Sequence, residues 1–246
     1  MSETDAAAAA ARSSLARLLE PLPDLALPAG TLDALQHYVA LLLSANQRLN
    51  LTRVVEPGDV ARLHLLDALV ALPLLDAASP SRVVDIGSGG GVPAIPLAIA
   101  RPGIAWTLVE SVARKAAVLQ SFVDALHLRN VSVVAERAET LGRDPAYREQ
   151  FDVATARACA ALPVLAELAL PLLRTGGRLI AWKGPLDEAD DEVLRGRAST
   201  TQLGGSEVEI IASGVDRHTL AVLPKPAVTP ARFPRRPGQP ARRPLG

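Results

Sequence analysis

From Ser81 onward, short apolar runs alternate with helical segments, which predicts an α/β fold. The expected architecture is Rossmann-like: a mostly parallel seven-stranded sheet with an antiparallel end strand, preceded by a helical N-terminal extension. Three observations carry this expectation. The run Arg82–Ile86 ends in Gly87-Ser88-Gly89-Gly90-Gly91, a glycine cluster whose backbone can approach a ligand closely. Four further strand-like runs follow at Ala105–Glu110, Val131–Ala135, Phe151–Ala156 and Arg178–Trp182, with helical segments near Val92–Ala100, Val112–His127 and Pro163–Leu173 between them. Such alternation implies parallel strands, right-handed crossovers and ligands outside the carboxyl ends of the strands. Finally, Glu207–Ala212 and Thr219–Leu223 flank a turn at Ser213-Gly214 and read as antiparallel neighbours.

The remaining elements divide the chain into three parts. Residues 1–78 form the helical extension, 79–224 the sheet domain, and 225–246 a basic Pro/Arg-rich tail. In the extension, Thr31 is the expected N-cap of a helix with apolar positions at Leu32, Leu35, Val39, Leu42 and Leu49. Pro57-Gly58-Asp59 opens another, and the Ala-rich start is expected to fray. Gly176-Gly177 marks a turn into the fifth strand, and Leu186–Arg197 a polar helix. From Pro224 there are seven prolines in 23 residues, which predicts an extended tail rather than helix.

Composition narrows the function classes. With 49% apolar residues the chain can bury a sizeable core. A formal net charge of zero excludes a uniformly basic nucleic-acid binder. Between Arg217 and Gly246, however, there are seven basic residues and no acidic one, enough to hold a polyanion locally. A single cysteine excludes an internal disulfide and a multi-cysteine zinc site, and Cys159, among small residues, is expected to be a buried thiol. The apolar stretch Ala158–Leu173 is interrupted by Pro163, Glu167 and Pro171, so it does not read as a membrane span. The expectation is a soluble cytoplasmic protein without metal or membrane partner, and nothing demands more than a monomer.

The glycine loop suggests the ligand. A dinucleotide fingerprint requires a sixth-position glycine for close helix packing, and Val92 stands there instead. No P-loop lysine follows either. A site with glycines but no phosphate cradle favours S-adenosyl-L-methionine, with Asp85, Gly87, Gly89, Gly91 and Val92 as cofactor candidates. Glu110, ending the second strand, can accept two ribose hydroxyls as a carboxylate or can cap the helix near Val112. Ala138 and Glu139, after the third strand, flank the expected adenine position. Arg157, after the fourth, can meet either a ligand carboxylate or an RNA phosphate.

In order and spacing the chain resembles the ribosomal RNA small subunit methyltransferase G family, also called glucose-inhibited division protein B. The matching pieces are Asn50-Leu51-Thr52, His64 with Asp67, Asp85 through Pro93, Ala156-Arg157-Ala158, Lys183-Gly184 and the tail Arg232 through Gly238. The resemblance implies a class I AdoMet-dependent methyltransferase that modifies N7 of a guanine in the decoding region of 16S ribosomal RNA. Its partner would be the small ribosomal subunit, and its cofactor contacts would fall on Gly87, Val92, Ala138, Glu139 and Arg157. Guanine N7 carries no proton, so no catalytic base is expected. Asp67, His64 and Lys183 are then candidates for positioning. Asn50, His64, Arg157, Lys183, Arg232, Arg235 and Arg236 are candidates for RNA contact. A small-molecule methyltransferase, or a non-catalytic ribosome-binding protein with the same fold, are the alternatives.

Overall fold

The computed structural model describes residues 2–22 and 25–246. Helix α1, Glu3–Leu19, is firmly started rather than frayed: the Ser2 hydroxyl accepts the Asp5 N–H at 3.1 Å while the Asp5 carboxylate accepts the Ser2 N–H at 2.9 Å. Ala8, Ala11 and Leu15 recur on one face and are fully buried against the next helix. In α2, Thr31–Leu49, the i, i+3, i+4, i+7 set Leu35, Tyr38, Val39 and Leu42 turns inward. Thr31 proves to be the first helical residue rather than the cap. Gly30, at φ +79°, is the cap, and the Thr31 hydroxyl donates to Pro28 O instead.

A continuous helical run follows: α3 (Pro57–Asp59), a π-helical stretch (Val60–Leu66) and α4 (Asp67–Leu69), then α5 (Leu72–Ala78). In the π-helical stretch the Asp67 N–H reaches back five residues to Arg62 O. Both His64 and Asp67 are buried along this run.

The sheet domain then proceeds as β1 (Arg82–Ile86), α6 (Ala94–Ala100), β2 (Ala105–Val109), α7 (Ala113–Ala125), β3 (Val131–Val134), α8 (Ala138–Leu141), β4 (Phe151–Arg157), α9 (Leu162–Ala169), β5 (Leu173–Lys183), α10 (Asp191–Gln202), β6 (Glu209–Ala212) and β7 (Thr219–Pro224). Strand order is β3-β2-β1-β4-β5-β7-β6. β1 to β5 run parallel, and β7 is antiparallel to both β5 and β6, so the reversed strand sits one place in from the edge. The order reverses between β1 and β4, whose pairing joins Val84 to Ala154. The crevice above that pair is the expected ligand position. β5 begins five residues before the predicted start because Gly176-Gly177 lies within an irregular early part of the strand, where the register against β4 shifts. The polar helix begins and ends later than predicted, at Asp191–Gln202.

Residues 225–246 are not a free arm. Lys225 is fully buried and donates to Glu149 at 2.8 Å. Phe233 is buried, and a one-turn helix, α11 (Gln239–Arg242), forms with Pro240 in its first turn, where a missing N–H costs nothing.

Candidate cofactor and substrate site

The glycine loop is stitched to the end of β2: the N–H groups of Gly87 and Ser88 both donate to Val109 O, at 2.9 and 3.1 Å. Gly91 requires glycine on two counts. Its φ is +94°, and a Cβ would sit 2.5 Å from the Ile95 side chain. A Cβ on Gly87, at φ +71°, would sit 2.7 Å from the Cys159 sulfur. Cys159 is exposed to solvent rather than buried as predicted, because it lies on the loop after β4 and opens into a cavity beside Gly87. Its partial burial and the nearby Asp85 and Glu110 carboxylates push the thiol up to about 11.

Two carboxylates organise the loop. Glu110 takes the helix-capping role: one oxygen accepts the Val112 N–H at the start of α7 at 2.8 Å, while the other accepts the Gly89 N–H of the loop at 2.9 Å. Two backbone bonds leave lone pairs free on a carboxylate with about four such sites. Asp85 is 1% exposed, and its Oδ1 accepts the Thr155 hydroxyl at 2.6 Å. Its Oδ2 is buried and has no protein partner. Burial pushes the Asp85 carboxyl up to about 6. A buried, partnerless carboxylate oxygen beside a backbone loop suits an ammonium group, so these residues fit the amino-acid tail of S-adenosylmethionine.

Two cavities flank Gly87. One, of about 440 Å³, lies within the roughly 300–1,000 Å³ range of small-molecule sites and is lined by Asn50, His64, Gly89, Val92, Glu110 and Arg157. The second is lined by Ile86, Val109, Ala138, Glu139 and Cys159, the predicted adenine side, and by the chain terminus near Gly238. One Glu139 oxygen accepts the Gly238 N–H at 2.8 Å, which leaves the carboxylate's other lone pairs free at the cavity.

A smaller cavity adjoins the first through Arg157 and Ala158. Here Asp67, 1% exposed, lies 3.3 Å from the Arg157 guanidinium and 3.1 Å from His218 Nδ1. Its backbone carbonyl accepts the Trp182 indole N–H at 2.6 Å. Burial pushes the Asp67 carboxyl upward, and the Arg157 and His218 charges oppose that. Burial likewise lowers the Arg157 guanidinium, with Asp67 opposing. His64 Nε2 pairs with the Thr52 hydroxyl at 2.8 Å, and burial, assisted by Arg157, pulls its imidazole down to about 4. His64 is therefore neutral at physiological pH.

The predicted RNA contacts divide. Lys183 pairs with Glu192 at 2.6 Å and donates to Ala160 O, and Arg235 pairs with the fully buried Glu167, so both cations are held by carboxylates of the body. Arg232, stacked on Phe233, and Arg236 are exposed. Asn50 ends α2 in a left-handed conformation at φ +46° and lines the larger cavity. Several participants escaped the sequence reading. Tyr38, whose hydroxyl donates to Gly90 O at 2.7 Å, has the helical spacing of an ordinary core residue. His218 sits in the turn of the predicted β6–β7 hairpin, where no local pattern marks it. Arg53 and Lys115 line the larger cavity, and a basic residue directly after Asn50-Leu51-Thr52 was the available signal. Among the described residues no cluster of three or more metal-ligating side chains occurs, and no helix is long and apolar enough to cross a membrane.

A glycine loop at the switch point of a sheet closed by one reversed strand defines a Rossmann-like methyltransferase. The family model for rRNA small subunit methyltransferase G matches residues 31–220. The chain belongs to that family. The ribosomal RNA small subunit methyltransferase G of Roseiflexus castenholzii is 47% identical over 218 residues, covering 87% of this chain and 92% of that one. Its counterpart in Deinococcus deserti is 42% identical, covering 88% and 90%. Among solved structures, the apo S-adenosylmethionine-dependent methyltransferase SibL is similar at a TM-score of 0.55 and 18% identity, over 87% of this chain and 73% of that one, a likeness of fold alone.

Proposed function

We propose that this chain transfers a methyl group from S-adenosyl-L-methionine to N7 of a guanine in the decoding region of 16S ribosomal RNA. The observation that carries the reading is the buried, partnerless Asp85 oxygen beside the glycine loop, in a chain of this family. Asp85 receives the ammonium of the cofactor's amino-acid tail, and Glu110 receives the ribose hydroxyls on its remaining lone pairs. When bound, the cofactor supplies an electrophilic methyl group on a positively charged sulfur.

The protein's own task is then positioning. Guanine N7 is an acceptor without a proton, so no side chain has to remove one. His64 agrees with that: its imidazole, pulled down to about 4 by burial, is a weak base, and it is held by Thr52 at a cavity wall. Orientation of two reactants can supply up to roughly 7–11 kcal/mol of a barrier, and Asn50, His64 and Arg157 line the space where a base would be held. Asp67 holds Arg157 and His218 rather than facing the base. Exposed Arg232 and Arg236, with Arg53 and Lys115 at the cavity, are the cations available to phosphates. Lys183 and Arg235, already paired, brace the walls. On this reading the protein acts as a monomer on the small subunit, in the cytoplasm.

The test uses methyl-labelled cofactor with small subunits or 16S RNA from a strain lacking the matching activity, followed by mapping of the label. Label at N7 of one decoding-region guanine supports the reading, and label at another atom or none at all overturns it. Because no proton is abstracted, the single-turnover rate is expected to be flat from about pH 7 to pH 9. A rate rising tenfold per pH unit would reveal a base and refute this mechanism.

A further inference from the structure

One wall of the cavity on the adenine side comes from a segment that the family match, ending at residue 220, does not reach. Ile86, Val109 and Ala138 line it from the sheet domain, and Gly238, Pro240 and Ala241 line it from the C-terminal strap. The strap is fastened at two carboxylates. Glu139 accepts the Gly238 N–H at 2.8 Å. Glu167 accepts the Arg235 backbone N–H at 2.7 Å and two bonds from its guanidinium Nε, at 2.9 and 3.0 Å. Behind these, the Arg148 guanidinium donates to the carbonyls of Gly142, Phe233 and Thr229, each at 2.8 Å.

This is a large investment of buried charge in a segment composed as a solvated tail. Glu167 is fully buried, and a buried carboxylate is tolerated only when paired and hydrogen-bonded in a fixed geometry. What that geometry fixes is the position of Pro240 and Ala241 at the cavity. We propose that Gly238–Ala241 form part of the nucleoside subsite, giving the purine ring of the cofactor an apolar wall. Glu139 is in this view a positioning residue that acts through Gly238. The proposal rests on the reading of the cavity as the cofactor site.

The experiment measures S-adenosylmethionine affinity by calorimetry for the full-length wild type, Ala241→Trp and Arg235→Gln, with thermal unfolding of each cofactor-free protein. Ala241 is exposed at the cavity, so an indole there fills the subsite without entering the core. A second readout is alkylation of Cys159, the chain's single cysteine, which lines the same cavity. Both variants are expected to bind the cofactor about tenfold more weakly or worse, the loss of a substantial share of apolar contact. Ala241→Trp should keep the wild-type melting temperature. Cofactor should protect Cys159 in the wild type but not in Arg235→Gln, and Arg235→Lys should restore part of the protection. Unchanged affinity in both variants overturns the strap's role. Should Arg235→Gln fail to fold, Ala241→Trp alone decides. A wild type that binds no cofactor overturns instead the functional reading on which the proposal rests.

Discussion

Asp85 shows how a single buried group ties stability to ligand binding. Its carboxyl lies at about 6 in the folded protein against an ordinary value of 3.8, because burial penalises the charge. A raised folded value means the favourable contribution is complete below 3.8 and is lost as pH rises through about 6, a swing on the order of 3 kcal/mol. Thermal unfolding of the cofactor-free protein should therefore show the wild type losing stability relative to Asp85→Asn between about pH 4 and pH 6, with little further change above that. The same variant should bind S-adenosylmethionine about tenfold more weakly at neutral pH, since the ammonium loses its counter-charge. Asp67 makes the opposite case. Its loss in Asp67→Ala would strand Arg157, whose side chain is 16% exposed, and should cost on the order of 3 kcal/mol in urea unfolding. Asp85 was legible in the sequence because it precedes a glycine cluster. The Asp67–Arg157–His218 group was legible only in part, since His218 reaches Asp67 across 151 residues of chain and no local pattern marks it.

At the level of elements, the glycine loop and the strap differ in how their sequences express their structures. The loop's need for glycine is local: Gly91 holds φ +94° with Ile95 where its Cβ would be. Gly91→Ala should cost about 1–3 kcal/mol from the backbone alone and more from the overlap, and should weaken cofactor binding in calorimetry. Strand positions were equally readable, and β1 falls at its predicted residues, Arg82–Ile86, because apolar runs bounded by glycine are local signals too. The strap was unreadable for the complementary reason. Proline and arginine spaced along a chain describe a solvated segment, and only the partners Glu139, Arg148 and Glu167, far away in sequence, fold it onto the body. Likewise the burial that pins Lys225 depends on Glu149, not on its neighbours.

At the level of the whole molecule, the sheet order has a consequence for assembly. The central pair, β1 with β4, is made by residues such as Val84 and Ala154, with β2, β3 and their helices inserted between them in sequence. Until β4 is in place, β1 is an edge: five residues, four of them buried in the finished protein, with an unpaired row of amides and carbonyls. A polypeptide ending at Gln150 would thus carry a complete cofactor loop and a sticky, apolar edge strand. Such a fragment should elute as oligomers in size-exclusion chromatography while the full chain does not, and monomeric behaviour would show that the first half closes on itself by other means. The switch point that creates the ligand crevice is therefore also the seam at which the two halves of the sheet join, and the place where an unfinished chain would meet its neighbours.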